Sequence, residues 1–133
     1  MSRILYTLAC CLFLLYSCEK ASEYKKETLI GRWYLTEYSA PGQPPYTMIP
    51  NQDTTTSYIF NQDKTVVIKY DSSGIQKVED GDWELRNDSL LTIKTLGYTS
   101  QLIINSLLLG TLKITDTNIP DSLPGRLRIY ERK

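Results

Sequence analysis

The sequence predicts an all-β protein, a single eight-stranded antiparallel up-and-down barrel that follows an export segment. Three observations predict it. From Ile30 onward the side chains alternate with the two-residue period of strands and show no helical period. Clusters of turn-forming residues part these runs at short intervals, which makes neighbouring strands antiparallel and adjacent. The chain of 133 residues, 41% apolar, is long enough for one core and no more.

Ile30 to Tyr38 places Trp33 and Leu35 on one face, with Arg32, Tyr34 and Thr36 on the other. Thr56 to Asn61 alternates Tyr58 and Phe60, and Asn61-Gln62-Asp63-Lys64 is a tight turn. Thr65 to Tyr70 is β-branched, and Asp71-Ser72-Ser73-Gly74 turns the chain, with a glycine available for positive φ. Gln76 to Leu85 carries Val78, Trp83 and Leu85 and ends at Arg86-Asn87-Asp88. Ser89 to Leu96, Tyr98 to Asn105, Leu108 to Thr115 and Arg126 to Arg132 complete the set. Closing eight such strands into a barrel satisfies both edges, where an open meander would leave two bare. The expected inward side chains are Trp33, Leu35, Tyr58, Phe60, Ile68, Trp83, Leu85, Leu91, Ile93, Leu102, Ile104, Leu112 and Ile114.

Two connections are long. Asp116 to Gly125 holds Pro120 and Pro124. Ser39 to Thr55 is stiff at Ala40-Pro41-Gly42-Gln43-Pro44-Pro45-Tyr46 and apolar at Met48-Ile49, and reads either as a lid over the barrel mouth or as a surface excursion.

The first 17 residues read as a secretory signal. Arg3 precedes an apolar run from Ile4 to Tyr16, and a small residue, Ser17, precedes Cys18. As a helix, at about 1.5 Å per residue, this run falls short of the ~30 Å hydrocarbon core. Leu15-Tyr16-Ser17-Cys18 resembles the lipobox of bacterial lipoproteins. The resemblance implies cleavage before Cys18 and acylation of that cysteine, palmitate among the acyl groups. It also implies a place in the bacterial cell envelope, and Glu19 at the next position favours the outer membrane. Residues 18–28 then form a lipidated tether with a helical turn or two, and 29–133 the domain.

Composition narrows the chemistry. The chain has no histidine, which removes His-dependent triads, His-ligated metals and the commonest general base near neutral pH. Its three cysteines, Cys10, Cys11 and Cys18, all precede the domain, so neither a disulfide framework nor a thiolate zinc site is expected. Fifteen basic residues balance fifteen acidic ones, which does not suggest nucleic acid as a partner. The stretch Glu79, Asp80, Asp82, Glu84 lacks the spacing of a calcium loop, and Asp80, Asp82 and Glu84 alternate with Trp83 and should face water. No enzyme, metal or cofactor is predicted.

Gly31-Arg32-Trp33 opens the first strand. Together with Tyr58-Ile59-Phe60-Asn61-Gln62-Asp63-Lys64-Thr65, Gly81-Asp82-Trp83-Glu84-Leu85 and Arg128-Ile129-Tyr130-Glu131-Arg132, it resembles the small lipocalin-like domains carried by Bacteroidetes-type lipoproteins. The resemblance implies that Trp33 plugs the closed end of the barrel and that an arginine of the last strand, Arg132 first and Arg128 second, stacks on its indole. It implies a small apolar or amphipathic ligand held in the barrel, for which Tyr58, Phe60, Tyr70, Trp83 and Tyr98 are the candidate contacts. Classical lipocalins are longer and carry a C-terminal helix and a disulfide, which this chain lacks. The alternative is a filled barrel that works through its loops, as an interaction module or inhibitor in a cell-envelope assembly.

Overall fold

The computed structural model describes residues 28–133. The expected signal segment, the expected lipidation site Cys18 and most of the expected tether lie outside the described residues. Thr28 and Leu29 carry helical backbone, and the chain then enters nine strands in sequence: β1 (Gly31–Ser39), β2 (Met48–Pro50), β3 (Ser57–Phe60), β4 (Thr65–Ser72), β5 (Ile75–Arg86), β6 (Leu90–Thr95), β7 (Thr99–Leu108), β8 (Thr111–Asp116) and β9 (Leu127–Arg132). All pairings are antiparallel, each strand from β3 to β9 lies beside the next, and β9 pairs back on β1. The result is the expected closed, eight-staved, up-and-down barrel, the natural way to leave no edge bare along the wall.

The ninth strand arises where the sequence suggested a structureless loop. β1 pairs with β3 over Gly31 to Tyr34, and along the same edge it pairs with β2 over Glu37 to Ser39. β2 and β3 are therefore two halves of one stave, parted by a short excursion. Asp53 organises that excursion by accepting hydrogen bonds from the Thr55 and Thr56 hydroxyls, while Asn51 donates to the Leu35 carbonyl at 3.0 Å. Met48 and Ile49, which the lid reading placed over the mouth, belong to the wall. The remaining loop docks sideways on the second long connection: Tyr46 Oη donates to Asp121 at 2.7 Å, Gly42 N to the Asp121 carbonyl at 2.7 Å, and Arg126 pairs with the same carboxylate at 3.1 Å.

Tight turns set the registers. Ser73-Gly74 and Leu109-Gly110 each hold two successive residues at positive φ, the backbone that matches the twist of a two-residue hairpin. The latter turn corrects one boundary. The sequence pattern ends a strand at Asn105 and starts the next at Leu108, but β7 runs on to Leu108 through a bulge between Ile104 and Ser106. The extra residue shifts the alternation so that Leu107 packs against the core.

Alternation fills the interior. Twelve of the thirteen predicted inward side chains are buried, and Leu35 is half-buried against them; Leu29, Val66 and Tyr130 join this core. One end is sealed. Trp33 is fully buried, and its Nε1 donates to the Leu29 carbonyl at 2.7 Å. Arg132 lies over the indole, its guanidinium carbon 4.7 Å from the ring centroid, and donates to the carbonyls of Thr28 and Ile30. A cation over indole contributes about 0.5–2 kcal/mol. The backbone carbonyls at the end of the leading helical turn thereby gain donors that the helix itself does not supply.

Gly81 marks a close approach of β5 to β6. A Cβ there would lie 2.2 Å from the Lys94 carbonyl oxygen, whereas one at Gly97 would meet nothing within 4 Å. Gly81→Ala is expected to cost about 2 kcal/mol or more in urea unfolding, by forcing β5 from β6, with Gly97→Ala within about 0.5 kcal/mol of the parent. Equal effects at the two sites would contradict this account of the close approach.

Candidate functional site

At the end opposite Trp33 the strands splay around a cavity of about 210 Å³ lined by Thr56, Ser57, Tyr58, Ile68, Tyr70, Tyr98, Arg128 and Tyr130. Topology explains this gathering. Ser57 starts β3, Tyr70 lies near the end of β4, Tyr98 immediately precedes β7 and Arg128 is the second residue of β9, so all sit at the same rim. β5 contributes from beside the rim, because its pairing with β6 begins only at Gly81 and leaves Ile75 to Asp80 paired with β4 alone.

Arg128 is the centre of the polar part. Its side chain is 17% exposed and its Nη2 meets Asp116 Oδ2 at 2.7 Å, the carboxylate itself only 10% exposed. Nη1 donates to the hydroxyls of Tyr58 and Tyr130, both at 3.3 Å. Burial works against the Arg128 charge, but the Tyr130 and Tyr58 hydroxyls and the Asp116 carboxylate outweigh it and hold the guanidinium pKa above its ordinary value. Tyr58 and Tyr130 stack at 5.1 Å in a tilted pair, a contact that fixes both rings under the guanidinium.

A second polar group stands across β4. Tyr70 Oη donates to Glu79 Oε1 at 2.8 Å, which raises the Tyr70 pKa. Burial, and then the neighbouring Glu79 carboxylate, push Tyr98 to about 12. Two buried atoms in this region have no partner among the described residues: Arg128 Nε and Glu79 Oε2. An unmatched buried donor or acceptor costs about 1–3 kcal/mol, so such atoms are where added hydrogen bonds gain most.

Of the five candidate contacts, the structure brings Tyr58, Tyr70 and Tyr98 to the cavity. Phe60 and Trp83 lie deeper, toward the closed end, ring on ring at 5.6 Å in an edge-to-face pair, with Trp83 Nε1 donating to the Asn61 carbonyl at 3.0 Å. Both are buried core residues: Phe60 pairs with Gly31 toward the plugged end, and Trp83 follows Gly81, where β5 begins to pair with β6. The two arginines weighed for the Trp33 stack divide between the ends, Arg132 at the plug and Arg128 at the cavity. Sequence reasoning gave Arg128 no place at the cavity, weighed Glu79 only as part of an acidic stretch, and did not single out Asp116 or Tyr130. Glu79 was within its reach, since the alternation that turns Trp83 and Leu85 inward also turns Glu79 inward. Asp80, Asp82 and Glu84 are exposed.

These environments favour protonated tyrosine in the folded state. Folded pKa values above the unfolded value of about 10 contribute stability that is complete below pH 10 and disappears as pH rises through the folded values. With Tyr98 near 12, and Tyr46, Tyr70 and Tyr130 also raised, tyrosinate absorbance should rise in a normal phase and a later one. Chemical stability should fall between pH 10 and 12 in Tyr98-containing protein more steeply than in Tyr98→Phe. A single tyrosine titration step centred near 10 would contradict the site as described.

No curated protein matches the chain. A family model described as a lipocalin-like domain matches residues 29–114, from the residue that caps the Trp33 indole through the buried Ile114 of β8. That match spans more than half of the chain and coincides with a closed antiparallel barrel plugged by the tryptophan of Gly31-Arg32-Trp33, and the chain belongs to the lipocalin-like domain family.

Proposed function

We propose that the chain is a lipid-anchored binding protein of the bacterial cell envelope, which holds a small apolar or amphipathic molecule in the open end of its barrel. The observation that carries this reading is the cavity of about 210 Å³ beside Arg128, walled by four tyrosines and an isoleucine. It exceeds the ~150 Å³ engineered cavity that takes up benzene, and it falls short of the ~300 Å³ at which sites for drug-sized ligands begin. A ring or a short chain with one polar end fits that size. Apolar walls with a few fixed polar groups are the usual composition of small-molecule sites. This reading assigns no reaction, metal or cofactor to the chain.

The tether half of the proposal rests on Leu15-Tyr16-Ser17-Cys18. Acyl chains on Cys18, at about 0.8 kcal/mol per buried methylene, would fix the protein at a membrane, with the outer membrane favoured by Glu19. The barrel would then stand beyond a short polar spacer, with its plugged end nearer the anchor, since the chain enters the domain beside Trp33.

A second reading, an interaction module or inhibitor within an envelope assembly, draws on the apolar side chains left outside near the mouth. Leu96 is wholly exposed, and Ile75, Val78 and Leu123 are more than half exposed. Patches of this kind often mark protein contacts.

Two measurements test the proposal. Labelled palmitate should enter the wild-type chain and not Cys18→Ser, and only the latter should leave the membrane fraction. Native mass spectrometry of Cys18→Ser protein from its host should show a bound small molecule, absent after denaturation and refolding. Palmitate-free wild type would end the anchor proposal. A ligand-free barrel that also takes up no small aromatic probe would end the binding proposal and favour the second reading.

A further inference from the structure

The two unpartnered buried atoms say more about the ligand than the cavity volume does. Arg128 has spent Nη1 on Tyr58 and Tyr130 and Nη2 on Asp116, and Nε remains a donor with nothing to meet. Glu79 has spent Oε1 on Tyr70, and Oε2 remains an acceptor with nothing to meet. Both residues adjoin the cavity. Arg128 lines it, and Glu79 is the register partner of Ile68 and the hydrogen-bond partner of Tyr70, which both line it.

Charge decides between ligand classes. Arg128 is already neutralised by Asp116, so it calls for an acceptor and not for a further negative charge. A carboxylate would satisfy Arg128 Nε but bring its charge beside Glu79 and Asp116. An ammonium would satisfy Glu79 but leave Arg128 Nε bare and face its guanidinium. A hydrocarbon would bury both atoms unmatched, at the cost of each. A neutral group with one acceptor and one donor answers both atoms without adding charge to a poorly solvated site.

We propose, resting on the reading of the cavity as a binding site, that its ligand is a small uncharged molecule bearing both a hydrogen-bond acceptor and a donor. In this arrangement the acceptor meets Arg128 Nε and the donor meets Glu79 Oε2, the simplest such group being a primary carboxamide. The ring or chain attached to it lies against Tyr58, Ile68 and Tyr70.

A set of probes of nearly one shape separates the possibilities: benzamide, acetophenone, toluene, benzoate and benzylamine. Each is titrated into full-length Cys18→Ser protein, which carries no lipid, and followed by backbone amide shifts. Benzamide is expected to bind roughly tenfold or more tighter than the other four, with shifts centred on Tyr70, Glu79, Tyr98 and Arg128. Acetophenone keeps the acceptor and the shape but lacks the donor, so its deficit isolates Glu79. In Glu79→Leu the preference for benzamide over acetophenone should vanish while toluene affinity stays within about twofold, the toluene value showing that the cavity survives. Benzoate, benzylamine, acetophenone or toluene binding as tightly as benzamide would overturn this inference and leave the binding-site reading standing. Failure of all five to shift any cavity residue would remove the binding-site reading and the inference with it.

Discussion

The pairing of β9 with β1 is the contact on which the rest of the molecule depends. It joins the two ends of the domain's sequence, Trp33 opposite Arg132 and Leu35 opposite Tyr130, and converts a ribbon of sequential hairpins into a wall without edges. Every other pairing could persist in an open sheet, since each stave of the ladder, with β2 and β3 counted as one, is also a neighbour in sequence. Closure alone brings the inward face of β9 against the inward faces of β1 and β3. That face consists of Arg128, Tyr130 and Arg132, and it supplies the polar groups at both ends of the barrel.

One strand therefore sets two different ends. At the plug, Arg132 caps the Trp33 indole and binds the carbonyls of the entering chain, so the interior there is tied shut by charge-assisted hydrogen bonds. Tyr130 fills the middle. At the rim, Arg128 is held off the apolar core by Asp116 and two tyrosine hydroxyls, and the space above it stays open. A buried guanidinium is costly unless most of its donors are matched, and here three contacts match three of its five N–H groups. The alternation of arginine and tyrosine along β9 thus converts a period of two into a gradient from packed to hollow.

The fold was legible in the sequence because a half-buried antiparallel strand writes its period directly. Trp33, Phe60, Trp83, Leu91, Ile93, Leu102, Leu112 and Ile114 declared the inward face, and Ser73-Gly74 and Asn61 to Lys64 declared turns. What escaped has physical reasons. β2 is three residues long beside a proline-rich turn, too short for a period, and its place in the wall is decided by the unfilled edge of β1. The bulge near Asn105 hid the end of β7, because an extra residue looks like a loop until Leu107 is seen to point inward. The site was legible only in part. The tyrosines announced themselves as amphipathic side chains on strands, whereas Arg128 was considered only for the plug, and Phe60 and Trp83 were given to a cavity that lies above them at the rim. In β9 the apolar Ile129 alternates outward and the two arginines inward, the reverse of what hydropathy alone suggests, and the partners Asp116, Tyr58 and Trp33 stabilise that arrangement.

Closure of β1 on β9 is tested most directly by proton contacts across that seam in the folded protein. The account predicts nuclear Overhauser effects between the backbones of Leu35 and Tyr130 and of Tyr38 and Arg128, with amides of both strands exchanging only by global unfolding. It predicts in addition contacts from the Trp33 indole to the Arg132 side chain. A seam without cross-strand effects, with β9 amides exchanging at the rate of an open edge, would show an unclosed sheet. Such a sheet would leave Arg128 without Tyr58, Trp33 without its cap, and the cavity without one of its walls.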